Sequence, residues 1–132
     1  MSVQVGTKLP ELAIYGDPTF IVSTAIATCD YQDVHHDRDK AQAKESKDIF
    51  VNILTDTGLV ERFVTDWAGP SARITSIKLR LGVPWYAYDT LTLTGEVVSA
   101  VETTTVQVTG TNSLGKHVVS TVSFTRDGKA DR

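Results

Sequence analysis

Residues 51–70 read VNILTDTGLVERFVTDWAGP and carry the clearest helical pattern in the chain. Large apolar side chains recur there at i, i+3, i+4 and i+7, the spacing of one helix face: Val60, Phe63, Val64 and Trp67. The pattern predicts a helix over residues 51–67, and Gly69-Pro70 is expected to end it. Because a single helix cannot bury its own apolar face, another part of the chain must cover it.

The second half of the chain alternates between apolar and polar residues, which is typical of strands with one buried face. The apolar positions are Ile77, Leu79, Leu81, Leu91, Leu93, Val97, Val106 and Val108, and then residues 118–124. Residues 112–115, Asn-Ser-Leu-Gly, are typical of a hairpin turn. Four consecutive antiparallel strands are expected, with a short earlier strand over residues 12–15. The pattern predicts an α+β hotdog fold, in which a curved antiparallel sheet wraps around a long central helix.

The first half of the chain is less regular. Asp17 and Pro18 are typical of the N-cap and first position of a helix, which is predicted over residues 18–28. Residues 29–48 are polar and show no steady period, so a long loop is expected there. Long ordered loops are often functional, and this one carries Asp30, His35 and His36.

Length and composition restrict the classes of protein. With 132 residues, 41% of them hydrophobic, the chain is expected to form a single domain over residues 1–132. A net charge of -3 without a basic run argues against nucleic-acid binding. No membrane span or signal segment is recognisable, which indicates a cytoplasmic protein. Cys29 is the only cysteine and the three histidines are scattered, so neither a disulfide nor a metal site is expected.

The segment from Asp30 to His35 resembles the signature of the MaoC-like, or hydratase-2, family. That signature is Asp-x-Asn-Pro-(Leu/Ile/Val)-His, followed six residues later by Ala or Ser. Asp30, Val34, His35 and Ala41 match it, whereas positions 32 and 33 hold Gln and Asp in place of Asn and Pro. The resemblance implies an enoyl-CoA hydratase, a lyase of lipid metabolism, with Asp30 and His35 as its catalytic residues.

Four further segments are similar to the small MaoC-like subunit of the heteromeric steroid side-chain enoyl-CoA hydratases of cholesterol-degrading bacteria. They are residues 16–22, 49–55, 65–70 and 81–86. The resemblance implies a steroid acyl-CoA substrate and a second MaoC-like subunit that carries an OB-type domain. A thiolase-like aldolase is a further expected associate. No cofactor is expected, because CoA is part of the substrate.

Hydration of an enoyl thioester needs a base for water, an acid for the α carbon and a donor for the thioester oxygen. Imidazole titrates near neutrality, so His35 suits the base, and Asp30 suits the exchange of the α proton; the reverse assignment stays open. Family resemblance places the oxyanion donor at the backbone N–H of Ile53, where relatives have His-Gly in place of Asn52-Ile53. Asn52, Trp85 and Tyr86 are candidate substrate-binding residues, although the two aromatic side chains are most simply explained as core or interface residues.

Other interpretations remain open from sequence alone. Asp56 and Glu61 lie on the predicted central helix, where other hotdog proteins carry a thioesterase carboxylate. The chain could also be a non-catalytic hotdog half that completes the acyl pocket of a partner, with Asp30 as a turn residue and His35 on the surface. His117, on a predicted strand, is expected to be a lone exposed histidine. An unpaired sheet edge favours an oligomer over a monomer.

Overall fold

The computed structural model describes residues 3–126. The strands are β1 (Lys8–Gly16), β2 (Ala72–Leu81), β3 (Asp89–Ser99), β4 (Thr104–Asn112) and β5 (Gly115–Arg126). The α-helices are α1 (Pro18–Ala27), α2 (Arg38–Ala43) and α3 (Ile53–Ala68), and a single 3-10 turn spans Asp33–His35. The predicted single domain of residues 1–132 also includes residues 1–2 and 127–132, which lie outside the described part of the chain.

The five strands form one antiparallel sheet in the order β1-β3-β4-β5-β2. Strands β3, β4 and β5 are consecutive neighbours, and the predicted hairpin turn joins β4 to β5, where Asn112 pairs with Gly115. The expectation of four consecutive neighbouring strands is wrong for β2. This strand pairs with β5, from Ala72 opposite Arg126 to Leu81 opposite Val118. Alternation in sequence reports which face of a strand is buried but not which strand lies beside it.

Helix α3 is the predicted central helix, with its beginning at Ile53 in place of residue 51. The start is set by Asn52, whose side-chain oxygen accepts a hydrogen bond from the backbone N–H of Thr55 at 3.4 Å. The helix ends at Gly69, whose φ of 89° is unfavourable for residues with a side chain. Its buried face includes Val60, Phe63, Val64 and Ala68.

The sheet curves around α3 and buries its apolar face against the helix. The core contains Leu91, Leu93, Val97, Val106, Val108, Val118, Val122 and Phe124 from the three central strands, each at most 1% exposed. The helix and sheet approach closely at Gly95, where an added Cβ would lie 2.8 Å from the ring of Phe63. This arrangement confirms the predicted hotdog fold. Within residues 3–126, no helix is long and apolar enough to cross a lipid bilayer.

Helix α1 begins as predicted, because the Asp17 carboxylate accepts a hydrogen bond from the N–H of Phe20 at 2.8 Å. The segment that follows is more regular than expected. It contains the 3-10 turn and the short helix α2, which Asp37 caps by accepting from the N–H of Lys40 at 3.1 Å. Helix α2 buries Ala41 completely, the position that matched the family signature. A six-residue helix is too short to show a clear apolar period.

Candidate active site

Asp30 and His35 approach one another at the start of the segment between α1 and α3. The distance from Asp30 Oδ2 to His35 Nε2 is 3.5 Å, and their side chains are 21% and 8% exposed. A direct hydrogen bond would be about 2.7–3.2 Å. The two groups therefore lie close enough to share one water molecule without using up their hydrogen-bonding capacity on each other.

The orientation of the His35 ring is fixed from its far side. Its Nδ1 lies 2.7 Å from the backbone carbonyl of Phe50, and the Phe50 ring packs edge-on against the imidazole with centroids 4.8 Å apart. A carbonyl oxygen can only accept, so Nδ1 carries the hydrogen and donates it. In the neutral ring, Nε2 then has a free lone pair on the side that faces Asp30. This is the protonation pattern that a general base requires.

Asn52 connects the carboxylate to the central helix. Its side-chain amide nitrogen donates to Asp30 Oδ2 at 3.2 Å and to Thr28 Oγ at 2.8 Å, while its oxygen accepts from both the N–H and the hydroxyl of Thr55. Asn52 is 2% exposed and its hydrogen-bonding groups are taken by the protein. The structure therefore places Asn52 as a residue that orients Asp30 and that also lines the cavity with His35, so its contact with substrate stays a prediction.

The loop that carries Asp30 is also held at its backbone. His36 Nε2 lies 2.6 Å from the Asp30 carbonyl, to which it donates, and its ring stacks on Tyr31 with centroids 6.1 Å apart. The N–H of Gln32 donates to Asp30 Oδ1 at 3.3 Å. Gln32, one of the departures from the family signature, thus contributes through its backbone, which any residue other than proline could do at this position.

Ile53 is the first residue of α3, where backbone N–H groups have no partner within the helix and the helix dipole favours negative charge. Among the described residues, no hydrogen-bond acceptor lies within bonding distance of the Ile53 N–H. Ile53 and Asn52 both line the same cavity as His35. The geometry is suitable for a donor to the oxygen of a bound thioester.

The cavity lined by His35 has a volume of about 420 Å³ and is mostly apolar, in the size range of small-molecule sites, and Asp30 reaches it through its contact with His35. Its lining comes from four parts of the chain: the residues around His35, the start of α3 with the residues just before it, the end of β2 with the turn that follows, and β5. The lining residues are Gln32, Val34, His35, Phe50, Val51, Asn52, Ile53, Leu81, Gly82, Val83, Pro84 and His117. An apolar acyl group fits this lining better than a charged or sugar-like one.

Trp85 is a core residue and does not reach the cavity, which corrects its assignment as a substrate-binding residue. Its side chain is fully buried, and its ring N–H donates to the carbonyl of Asp89 at 3.0 Å. Tyr86 packs edge-on against Phe50, and Lys47 Nζ lies 5.9 Å from the Tyr86 ring centroid. Tyr86 is absent from the cavity lining within residues 3–126, so it supports Phe50 from behind.

His117 is not the exposed, isolated histidine that the sequence suggests. It is 2% exposed, and its Nε2 lies 2.9 Å from both carboxylate oxygens of Asp56, which is fully buried. Its Nδ1 donates to the carbonyl of Val83 at 2.6 Å. The two residues are 61 positions apart in sequence. No spacing or periodicity in the sequence predicts such a pair, because only the packing of β5 against α3 brings the two residues together.

Burial and mutual contact shift both pKa values of this pair. Burial raises the pKa of Asp56 above its ordinary value of 3.8 and outweighs the opposing hydrogen bond and charge of His117. Burial acts to lower the pKa of His117, but the hydrogen bond and charge of Asp56, together with the bond to Val83, outweigh it. The pKa of His117 is therefore raised above 6.5.

The position of Asp56 argues against the thioesterase interpretation. Both of its oxygens face His117 in the interior, so neither is free to hold a water molecule against a thioester carbonyl. Glu61, the other acidic candidate, is exposed on α3. In the described part of the chain, no group of three or more potential ligand side chains could hold a metal ion.

Comparison with known proteins gives one relative of high identity. The 3-oxo-4,17-pregnadiene-20-carboxyl-CoA hydratase beta subunit of Mycobacterium tuberculosis is 71% identical over 121 residues, which are 91% of this chain and 94% of the relative. No protein-family model matches the sequence.

Solved structures agree with that relationship. The crystal structure of the ChsH1-ChsH2 complex from Mycobacterium tuberculosis contains a chain with a TM-score of 0.92 and 69% identity, and the match covers 96% of this chain and all of that one. An (R)-hydratase from A. caviae involved in PHA biosynthesis has a TM-score of 0.87 at 17% identity, covering 96% and 98% of the two chains. At that identity the likeness shows the fold alone.

Proposed function

Since the chain belongs to the family of the 3-oxo-4,17-pregnadiene-20-carboxyl-CoA hydratase beta subunit, whose members are MaoC-like hotdog hydratases, we propose that it hydrates a steroid side-chain enoyl-CoA. In this reaction, water adds across the α,β double bond of the thioester-activated side chain. Asp30 and His35 carry out the proton transfers. No cofactor takes part in the proposed reaction, because CoA is carried by the substrate.

The observation that carries the proposal is the pairing of Asp30 with His35, whose side chain lines an apolar cavity. Asp30 Oδ2 and the lone pair of His35 Nε2 face the same 3.5 Å gap, and both residues are held from behind by other groups of the protein. A water molecule held there can be oriented by two acceptors at once. Such orientation supplies a large part of the rate of a general-base reaction.

The proposed reaction conserves atoms and protons. The water oxygen bonds to the β carbon, His35 Nε2 takes one proton of that water, and the π electrons move toward the thioester. The proton that His35 took passes to the Asp30 carboxylate, and Asp30 delivers it to the α carbon, where the electron pair of the enolate forms the new C–H bond. The Asp30–His35 pair thus ends with the protons it had at the start, and the product is a β-hydroxyacyl thioester.

The developing negative charge lies on the thioester oxygen. The N–H of Ile53 supports its stabilisation in this proposal, since it is a donor at the positive end of α3 that is already oriented before substrate binds. Fixed donors of this kind typically contribute about 10²–10³ in turnover. The apolar wall, which includes Val83 and Pro84, is suited to the hydrocarbon next to the reacting bond.

We also propose that the chain works as a heteromer with a second MaoC-like subunit that carries an OB-type domain. The relative in the ChsH1-ChsH2 complex supports an assembly with a second subunit. Large apolar side chains that line the cavity or lie next to its lining in sequence are exposed in the isolated chain and would be covered by such a partner: Ile53, Leu54 and Leu81. A thiolase-like aldolase that receives the hydrated product is the further proposed associate.

The proposed function is tested by assaying the purified two-subunit complex with steroid and straight-chain enoyl-CoA substrates, following loss of the enoyl thioester absorbance. Asp30→Asn and His35→Ala should each lower turnover by about 10²–10⁴, the usual contribution of a general acid or base. Asp33→Asn is the matched control, because Asp33 is a carboxylate of the same segment that pairs on the surface with Lys44 at 3.5 Å.

Assembly of each variant is checked by gel filtration before its kinetics are measured. Turnover close to that of the wild type in both Asp30→Asn and His35→Ala would contradict the assignment. It would favour instead the non-catalytic hotdog half, in which the partner alone carries the chemistry. An equal loss of turnover in Asp33→Asn would show that the segment is sensitive to any change of charge.

A further inference from the structure

Part of the cavity wall is formed by a short turn after β2, residues 82–84, which we name the wall turn. It lies beside His117, and both face the cavity that contains His35 and Ile53. The wall turn is bound to the start of β5 by its backbone. The N–H of Gly82 donates to the His117 carbonyl at 2.7 Å, and that of Val83 donates to the Lys116 carbonyl at 3.0 Å.

The connection between the wall turn and α3 is of a different kind. Beside the turn, the backbone N–H of Val51 donates to the Trp85 carbonyl at 3.1 Å, which joins the next residue to the segment before α3. Among the hydrogen bonds of residues 3–126, those that link residues 82–84 themselves to α3 pass through the His117 side chain. Its Nδ1 donates to Val83, and its Nε2 contacts Asp56 in the first turn of α3. The same first turn begins with Ile53, the proposed oxyanion donor. One imidazole thus joins the acyl wall to the oxyanion end of the helix.

Neither side chain of the pair is available to bind a substrate, because Asp56 is fully buried and His117 already bonds through both ring nitrogens. Both nitrogens of His117 are engaged, and both oxygens of Asp56 face the imidazole. A buried pair is also a poor way to gain stability, because desolvation offsets much of its attraction and well-packed apolar residues often serve equally well or better. The pair instead gives a defined geometry. The hydrogen bonds of His117 to Val83 and to Asp56 have fixed directions, so they hold the wall turn and α3 at one distance from each other.

We propose that Asp56 and His117 are positioning residues, which hold the wall turn at a set distance from the start of α3 and so define the width of the acyl site. The inference rests on the proposed hydratase function and adds to it the residues that set acyl fit. Neither side chain touches the reacting atoms. Their loss should therefore weaken substrate binding and acyl discrimination more than it slows the chemical step at Asp30 and His35.

The decisive comparison is between Asp56→Asn and Asp56→Leu in the assembled two-subunit complex. The two replacements have the same number and branching of side-chain heavy atoms and both remove the charge, but only the asparagine amide can donate a hydrogen bond to Nε2 of a neutral His117. We expect Asp56→Asn to keep KM for the steroid enoyl-CoA within about twofold of the wild type, whereas Asp56→Leu should raise it about tenfold or more. In both variants kcat should stay within about threefold, because the Asp30–His35 geometry is untouched.

The double variant Asp56→Leu with His117→Phe provides a second measurement, since it replaces the pair by apolar side chains and leaves no buried charge. It should assemble, raise KM for the steroid substrate and reduce the preference for steroid over straight-chain enoyl-CoA. Asp66→Asn is the control, because it removes an exposed ion pair between Arg62 and Asp66 on the same helix. That control should leave both kinetic constants unchanged.

Equal KM values for Asp56→Asn and Asp56→Leu would overturn the inference. So would a loss of kcat in Asp56→Leu as large as that of His35→Ala, since the pair would then act in the chemical step. These outcomes are distinct from failure of the proposed function. A wild-type complex that does not hydrate the enoyl-CoA contradicts the function, whereas normal hydration with equal KM values contradicts the positioning role alone.

Discussion

Asn52 combines two roles at the level of a single residue, as the cap of α3 and as a hydrogen-bond donor to Asp30. Because Asn52 is buried and its groups are all bonded, its side chain has little freedom. The position of the catalytic carboxylate is thereby linked to the beginning of the helix that carries the oxyanion donor.

Replacement of Asn52 should separate these two roles. Asn52→Ala removes both, so it should lower stability by about 1 kcal/mol and turnover by about tenfold or more. Asn52→Asp keeps the helix cap, because aspartate caps as well as asparagine, but it places a carboxylate against Asp30 Oδ2. It should therefore keep more stability than Asn52→Ala and still lose turnover. Thermal unfolding and steady-state kinetics measure the two effects, and wild-type turnover in Asn52→Asp would contradict the orienting role.

The sequence predicted the residues that a signature contains and missed those that tertiary packing brings together. Asp30 and His35 are five positions apart, so one short segment contains both. Asp56 and His117 are joined only when β5 packs on α3, and each taken alone was assigned differently, to a thioesterase site and to the surface. The Phe50 carbonyl that fixes His35 could not be predicted either, because every residue has a backbone carbonyl and only the fold selects one.

At the level of elements, two glycines of α3 and β3 have opposite surroundings. Gly58 lies on the exposed side of α3, where an added Cβ would meet nothing within 4 Å. Gly95 lies on β3 beneath the helix, where a Cβ would come 2.8 Å from Cε2 of Phe63 and 3.3 Å from Val106. The first glycine is a local weakness of the helix, whereas the second permits the helix and sheet to pack closely.

Alanine substitution at these two positions should change stability in opposite directions. Gly58→Ala should raise the free energy of unfolding by about 0.5–1 kcal/mol, since alanine is the better helix former. Gly95→Ala should lower it by about 1–3 kcal/mol, the usual cost of overpacking a core. Urea denaturation of the two variants beside the wild type measures this. Equal stability of Gly95→Ala and the wild type would mean that Phe63 moves aside at little cost.

Element types were easier to predict than their neighbours in space. The apolar period of α3 and the alternation of the strands follow from burial on one face, so the hotdog fold could be expected from sequence. The place of β2 beside β5 could not, because pairing partners depend on the path of the chain around the helix. Helix α2 was also missed, since its capping by Asp37 is a local signal in a stretch with few apolar residues.

For the molecule as a whole, the Asp56–His117 pair links stability to pH. Both pKa values are raised in the folded chain, so the folded state binds protons that the unfolded chain releases. The stabilisation from His117 is fully present below its ordinary pKa of 6.5 and is lost as pH rises through the raised value. The raised pKa of Asp56 acts in the same direction, starting from its ordinary value of 3.8.

The wild type should therefore lose stability as pH increases above about 6.5, with a slope of at most about 1.4 kcal/mol per pH unit for one proton. Asp56→Leu with His117→Phe lacks both groups and should show a smaller slope over the same range. The measurement is the urea midpoint of each protein between neutral and mildly alkaline pH. Identical slopes for the two proteins would show that proton binding by Asp56 and His117 does not cause the pH dependence of stability.

The strand order also sets the order in which a growing chain can complete its sheet during synthesis. Strand β1 pairs with β3, from Lys8 opposite Glu96 to Gly16 opposite Asp89, and β2 must wait for β5, the last strand. Both edge strands thus emerge from the ribosome long before their neighbours. We expect a nascent chain that stops before β3 to leave the Asp30 segment unanchored. Contacts between strands far apart in sequence stabilise the chain only after the entropy cost of closing the loop between them has been met.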